Sequence, residues 1–540
     1  MSVNISKDKR DKLVEKINAV KDYISAAAQD ENTAQLLTYL AEIEKDIRGK
    51  KYGLVFEEHR ENIDEVLENN LPVLTENTDL FIDHGGQMNF LIEGDNLASL
   101  RLLEKTHKGM IDLIYIDPPY NTGRKDFVYD DNFVDSTDTF RHSKWLSFME
   151  KRLRIAKNLL SEKGVIFISI DDNEQSTLKM LCDSIFGEGN FESIIWKKKG
   201  GAGNTERILG CLTEYVICFF KKKNAGVFRY RDIERIYKFC DEKGGYNLEG
   251  IEKTNSGLYE RPTMLFPIID PTTNESFYPQ DGMRWTIGKK GVEQALEQKK
   301  LYFDYKKHKV YYIKREEDYQ KSENVFYNLL TEYGSLSVAK DELKEILGNR
   351  EIFDTPKPTA LISHLINLTS INNPTILDFF AGSGTTGHAV MKLNAEDGGN
   401  RKFILCTNNE NNICRDVTYE RIKRVIAKED YKASLKYFKV DYLPITDKLY
   451  YEYADELLKH IRELVELENA VNFNGNKEIA IVLTEEELDN FAKQIPVGCK
   501  TVYLGHNVLP NKAQEKILAE KSIKIKIIPE YYYRNEEGAV

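Results

Sequence analysis

Along most of the chain, short apolar runs alternate with segments whose apolar residues recur every three or four positions. MNFLIE (88–93) leads through an acidic turn into NLASLRLL, and IDLIYI (111–116) leads through a loop into SKWLSFMEKRLRIAKNLL, a helix over about 143–160. GVIFISI (164–170) again closes on acids. Apolar runs of this length predict strands buried on both faces, and the three-to-four spacing predicts amphipathic helices, so the pattern is that of a mainly parallel sheet covered by helices. Residues 5–48 carry Leu13, Ile17, Val20, Ile24, Leu36, Leu40 and Ile43 at near-helical spacing, which predicts two helices broken near AAQDENT. Residues 191–221 predict two strands joined by the loop KKKGGAGNTERILG. From about 230 to 350 the alternation fades into a stretch rich in Tyr, Lys and Glu, which marks an insertion. It returns with a helix in KPTALISHLINLTS, a strand in PTILDFF, a helix after AGSGTTG, a strand in RKFILCT and a helix in CRDVTYERIKRVIA. EIAIVLT, TVYLG and SIKIKII read as strands of a small C-terminal α/β unit.

Composition narrows the classes. The chain of 540 residues is 41% hydrophobic and 30% charged, as in a folded, water-soluble protein. No apolar run approaches the length of a membrane span and the first residues lack the apolar stretch of a signal peptide, so a cytoplasmic protein that does not enter a membrane is expected. Seven cysteines (182, 211, 218, 240, 406, 414, 499) form no CxxC pair, which argues against a disulfide framework or a structural zinc site. Asp171 and Asp172 lack a third ligand at suitable spacing, and no metal is expected. The net charge of −11 argues against a broadly basic nucleic-acid-binding surface. Residues 195–231, however, hold nine Lys or Arg against Glu206 and Glu214, a local +7 within a remainder of −18.

Two segments carry chemistry. DFFAGSGTTG (378–387) places Gly382, Gly384 and Gly387 between a strand and a helix. There glycines permit a tight turn and the helix N-terminus offers free N–H groups to an acceptor. Glu410 follows the next strand, where a carboxylate can receive ribose hydroxyls. This context suits a nucleoside-containing cofactor, a nicotinamide dinucleotide included, and the missing lysine excludes a P-loop. In IDLIYIDPPYNTG, an apolar strand stops at Asp117, Pro118, Pro119 and Tyr120. The Asp117 carboxylate and a proline-fixed carbonyl can accept both hydrogens of an exocyclic amine, and Tyr120 can stack on a base drawn out of the duplex.

At these residues the sequence resembles the amino-methylating, S-adenosylmethionine-dependent DNA methyltransferases, whose hallmark is D/N/S-P-P-Y/F. Asp117–Tyr120 precedes Phe380-Ala381-Gly382-Ser383-Gly384, the permuted order of the β group. LIEGDNLASL, FRHSKWLSFMEKRL, GVIFISIDDNE, FDTPKPTALISHLI and RKFILCTNNENN extend the resemblance to modification (Mod) subunits of type III restriction-modification systems. The resemblance implies a permuted Rossmann-like α/β fold with a mainly parallel seven-stranded sheet. It divides the chain into a helical N-terminal arm (1–75), a catalytic part (76–229), a target-recognition insertion (230–350), a cofactor-binding part (351–435) and a C-terminal α/β module (436–540). It implies that Asp117, Pro118, Pro119 and Tyr120 hold a flipped adenine for N6 methylation, with cytosine N4 or RNA methylation, or an inactive DNA-binding subunit of the same fold, as alternatives. Asp95, Lys357, Pro358, Asp378, Phe380, Gly382, Gly384 and Glu410 would line the S-adenosylmethionine pocket. Trp196 would offer a second stacking surface, and Lys197, Lys198, Lys199, Arg207, Lys221, Lys222 and Lys223 would flank the cleft and contact phosphates. Double-stranded DNA, a second copy in a homodimer and a restriction (helicase/nuclease) subunit are the implied partners.

Overall fold

The computed structural model describes residues 5–26, 31–48, 56–123, 127–129, 132–134, 137–201, 209–222, 227–229, 235–256, 260–319, 325–445, 460–474, 476–505 and 508–528. The chain divides into two compact units. One comprises 1–223, 329–364 and 371–540; the other comprises 224–328 with 365–370.

The first unit is built on a ten-stranded sheet. Its strands are β1 (Asn70–Glu76), β2 (Gln87–Glu93), β3 (Ile111–Ile116), β4 (Leu160–Ile170), β5 (Phe191–Lys197), β6 (Thr213–Phe220), β7 (Leu329–Leu330), β8 (Thr375–Asp378), β9 (Lys402–Thr407) and β10 (Ala433–Pro444). They lie in the order β1-β10-β2-β9-β8-β3-β4-β6-β5-β7. The seven strands from β2 to β5 in that order all come from runs legible in the sequence. The expected count of seven is corrected to ten because β1 and β10 extend one edge and the two-residue β7 the other. β10 pairs parallel to β2 and antiparallel to β1, and β6 runs antiparallel between β4 and β5. The runs are apolar because both faces are covered: Ile114 and Ile116 of β3 and Ile166, Ile168 and Ile170 of β4 are wholly buried.

The outer strands also move the expected boundaries. Asn70–Glu76 belongs to the sheet rather than to the N-terminal arm, whose described helices are Ile5–Ala26, Glu31–Arg48 and Asn62–Asn69. Residues 329–350 belong to the first unit, through β7 and the helix Leu336–Leu347, and 436–444 complete β10. Beyond them, Ile479–Val482, Thr501–Leu504 and Lys524–Ile527 form a separate three-stranded parallel sheet with its own apolar core.

β3 and β8 are neighbours at the middle of the large sheet, paired parallel through Leu113–Ile376 and Ile114–Leu377. From β3 the chain moves outward to β4; from β8 it moves the other way, to β9. Loops leaving the carboxyl ends of two such strands diverge, and the divergence opens a crevice above the sheet. The loop after β3 begins at Asp117 and β8 ends at Asp378, so the two segments singled out in the sequence meet there.

The second unit has its own core of Ile251, Phe266, Ile268, Phe277, Trp285, Val292 and Val310. A four-stranded sheet orders Leu301–Asp304, Lys309–Lys314, Gly244–Gly250 and Phe239–Asp241. The buried Trp285 Nε1 donates to the Phe266 carbonyl at 2.8 Å.

Candidate active site

Above the β3–β8 crossing lies a cavity of about 730 Å³, within the usual range of small-molecule sites. Asp95, Asp117, Pro118, Pro119, Tyr120, Lys198, Lys199, Lys357, Asp378, Phe380, Gly382 and Glu410 all line it. Strand order alone gathers these residues from across most of the chain.

The loop after β3 is held from several sides. The buried Trp145, on the helix Arg141–Leu159, donates from Nε1 to the Pro119 carbonyl at 2.7 Å. Asn121 adopts a positive φ of 55° and donates to the buried Glu174 carboxylate at 2.6 Å. Two prolines remove backbone freedom, and these anchors fix what remains.

Asp117 stands at the centre of a chain of charges. Its Oδ2 accepts from Lys357 Nζ at 2.6 Å and its Oδ1 from the Tyr120 hydroxyl at 2.9 Å. Burial pushes the Asp117 carboxyl up from its ordinary value, Lys357 opposes that shift, and Glu214 adds to it. Burial alone would lower the Lys357 ammonium, but the facing carboxylates of Asp117 and Glu214 reverse this and raise it. The same surroundings push the Tyr120 phenol well above its usual value, so the hydroxyl stays protonated and acts as a donor.

The glycine turn after β8 is equally determined. Gly382 and Gly384 have φ of +47° and +72°, which residues with a Cβ rarely adopt. A Cβ on Gly382 would meet the Phe353 ring at 2.9 Å. Gly384 caps the helix Thr385–Asp397, whose first residues line the cavity. The Thr418 hydroxyl donates to the Gly382 carbonyl at 2.6 Å, and the fully buried Arg421 donates to the Ser383 carbonyl at 3.2 Å. Burial pushes the Asp378 carboxyl up to about 7, although it accepts from Phe380 N at 3.0 Å and from the Thr386 hydroxyl at 2.5 Å.

Asp95 caps the helix Asn96–His107 by accepting from Leu97 N at 2.7 Å. Its other oxygen lies 3.7 Å from Arg152, which is itself clamped by Glu61 at 2.9 and 3.0 Å. Glu410 is exposed at the cavity rim, after β9. Pro358 and Gly384 do not line the cavity; each adjoins residues that do.

The expected DNA-contacting residues divide. Trp196 is corrected: it is fully buried, its Nε1 donates to the Gly334 carbonyl at 3.1 Å, and no face is left for a base. Lys198 lies at the cavity but is spent on Glu214, 3.0 Å away. Lys199 is exposed at the rim, and Lys197 is half-buried at the end of β5. Lys221 and Lys222 are corrected as cleft residues. β6 starts at the site and runs antiparallel, so its far end lies roughly 24 Å away along the strand. There Lys221 donates to the Leu160 carbonyl at 2.8 Å and Lys222 pairs with Glu162 at 2.5 Å. Arg207 and Lys223 lie outside the described residues.

Sequence reasoning missed Glu214, Arg152, Phe353, Thr418 and Arg421. Only Glu214 carried a local signal: it is an acid at the start of the otherwise apolar run EYVICFF, where an unpaired charge would be costly. The others act through positions distant in sequence.

A carboxylate and ring on a proline-stiffened loop thus face a glycine turn across the β3–β8 junction of an α/β sheet. The sequence model of the DNA methylase family matches residues 111–419, and the chain belongs to that family. It is 35% identical over 392 residues to the type III restriction-modification enzyme StyLTI Mod subunit of Salmonella typhimurium, covering 63% of this chain and 57% of that protein. It is 37% identical to the type II methyltransferase M.KpnI of Klebsiella pneumoniae over 58% of this chain and 79% of that one. This chain thus spans little more than half the length of the StyLTI subunit. Among solved structures, the cytosine-N4-specific PvuII DNA methyltransferase matches with 13% identity and a TM-score of 0.33, covering 66% of this chain and 97% of that one. The M1.HpyAVI–SAM complex matches with 16% identity and a TM-score of 0.30, covering 62% and 98%.

Proposed function

We propose that this protein is an S-adenosylmethionine-dependent DNA methyltransferase that modifies N6 of a flipped-out adenine and serves as the modification and specificity subunit of a type III restriction-modification system. The observation that carries the reading is that Asp117 and the glycine turn, through Gly382 and Ser383, open into one cavity. A nicotinamide-dependent enzyme would use the turn and leave the Asp-Pro-Pro-Tyr loop without a task. Membership of the DNA methylase family and the likeness to a Mod subunit support the assignment, as does the permuted order in which the catalytic segment precedes the glycine segment.

The residues present fit the cofactor. The glycine turn and helix N-terminus can approach its polar end, Phe353 and Phe380 supply apolar walls, and Asp95 and Glu410 supply acceptors for adenine and ribose N–H and O–H groups. When bound, S-adenosylmethionine supplies a methyl group made electrophilic by a sulfonium. The protein's own contribution is to place a weak nucleophile in line with it. Asp117, ionised, accepts from the target amine together with a carbonyl of the proline loop and favours a more tetrahedral nitrogen. The Tyr120 hydroxyl is tied to Asp117 and Glu214, which fixes the ring that the base stacks on. Direct transfer needs alignment and exclusion of water, and no covalent enzyme intermediate. Lys197 and Lys199 are the proposed phosphate contacts near the rim, and the unit at 224–328 the proposed reader of sequence. Double-stranded DNA, a second copy of the chain and a restriction subunit are the proposed partners, with the N-terminal arm and C-terminal module as docking elements.

The test is transfer of tritiated methyl from S-adenosylmethionine to unmethylated plasmid, followed by nucleoside analysis. N6-methyladenine at discrete sites is expected, and Asp117→Ala should abolish it while calorimetry shows cofactor binding retained. N4-methylcytosine would reassign the base. No incorporation despite cofactor binding would replace the reading with an RNA substrate, a required second subunit or a silent fold.

A further inference from the structure

Glu214 enters the mechanism just described only as a tether for Tyr120, yet it is a buried charge within reach of the same lysine that holds Asp117. It is the second residue of β6, and the six residues after it are aromatic, aliphatic or cysteine. A carboxylate in such a strand is costly unless it is paired. Its Oε1 accepts from Lys198 Nζ at 3.0 Å. Its Oε2 accepts from the Tyr120 hydroxyl at 3.2 Å and lies 3.9 Å from Lys357 Nζ. Lys357 and the Tyr120 hydroxyl are therefore shared between two carboxylates, each held more closely by Asp117, at 2.6 and 2.9 Å.

This sharing bears on the reaction. Asp117 can receive a target amine well only if its lone pairs are not fully engaged by Lys357 and Tyr120. We propose that Glu214 is a positioning residue for methyl transfer, a second carboxylate that takes up the Lys357 ammonium and the Tyr120 hydroxyl as the target amine engages Asp117. The inference rests on the methyltransferase reading above. The movement required is small: Lys357 needs to close about 1 Å towards Glu214 to make a hydrogen bond of ordinary length. Lys198 holds the other oxygen of Glu214. With Glu214 neutral, Lys357 would lose the second carboxylate it can turn to, would stay on Asp117, and the amine would have to compete with it there.

The charged groups around Asp117 make this readable as a pH profile. Lys357, Glu214, Tyr120, Tyr115 and Asp378 act on it or are acted on by it, while Asp171, Lys198 and Lys357 surround Glu214. Glu214 is a like charge that raises the Asp117 carboxyl. Activity requires ionised Asp117, so the acid limb of the rate profile follows that group. Removing the Glu214 charge moves the limb to lower pH even as the plateau falls.

The experiment compares wild type, Glu214→Gln and Glu214→Asp in single-turnover methyl transfer against pH, with calorimetric S-adenosylmethionine affinity and thermal melting alongside. Glu214→Gln should lower the plateau roughly 10- to 100-fold, leave cofactor affinity unchanged and shift the acid limb downward. Glu214→Asp should keep the wild-type limb. A wild-type plateau in Glu214→Gln, an unmoved limb, loss of cofactor affinity, or failure of both variants to fold would overturn the inference and leave Glu214 a structural counter-ion. An inactive wild-type protein overturns the proposed function and this inference with it. An active wild type beside an unaltered Glu214→Gln overturns this inference alone.

Discussion

Replacing Asp378 by Asn isolates the cost of one buried charge at the carboxyl end of β8. Asp378 is 2% exposed, and burial raises its carboxyl from 3.8 to about 7 against two donors, Phe380 N and the Thr386 hydroxyl. A carboxyl raised in the folded state contributes stability that is fully present below its unfolded value and is lost as pH climbs to the folded value. A rise of that size corresponds to on the order of 4 kcal/mol. Asn has nearly the same shape and no charge, so the stability of Asp378→Asn relative to wild type should rise between about pH 4 and pH 7 and level off above. Urea unfolding followed by tryptophan fluorescence suits the assay, because Trp145 and Trp196 are fully buried in the same unit. Other titrating groups cancel in the difference between the two proteins. A difference that stays constant across this range, or falls as pH rises, would refute the reasoning.

Three further perturbations test separate parts of the structure. Gly384→Asp forces a Cβ into φ +72°, 3.3 Å from Thr418, a strain of about 1–2 kcal/mol; calorimetry should show cofactor affinity weakened at least about tenfold, and unchanged affinity would remove the turn from the pocket. Trp145→Phe deprives the Pro119 carbonyl of its donor, which should cost about 1–3 kcal/mol and slow transfer while cofactor affinity holds; an unaltered rate would mean that the loop needs no such anchor. Glu466→Gln leaves the fully buried Lys436 with Glu76 after losing its 2.6 Å partner; chemical unfolding should show a loss of about 3–5 kcal/mol, much of it recovered in Lys436→Met/Glu466→Leu.

Much of the site was legible because its chemistry is local. Asp117 to Tyr120 and Gly382 to Gly384 each follow an apolar strand, and a strand end followed by prolines or glycines announces a loop wherever it is packed. The acidic turn before NLASLRLL was readable for the same reason, and the structure makes its Asp95 the helix cap. Trp196 and Lys221 were misread because their roles depend on direction. A lysine run beside an apolar strand looks the same at either end of a sheet, and only the antiparallel course of β6 carries Lys221 and Lys222 away from the cleft. Trp196 is covered by a segment 138 residues onward, through the Gly334 carbonyl.

Periodicity and backbone restriction act over a few residues, so amino-acid order alone specifies the seven central strands, the helices that follow them and the turns that carry reactive groups, but not the outer strands β1 and β7, which only packing at the sheet edges defines. Which of those turns face one another depends on long-range packing. Strand order places β3 beside β8, and that adjacency brings Asp117, Lys357 and Asp378 to one cavity. The electrostatics likewise belong to the folded state. Burial raises the Asp378 carboxyl, and neighbours that no local pattern specifies pair Glu214 with Lys198, Tyr120 and Lys357.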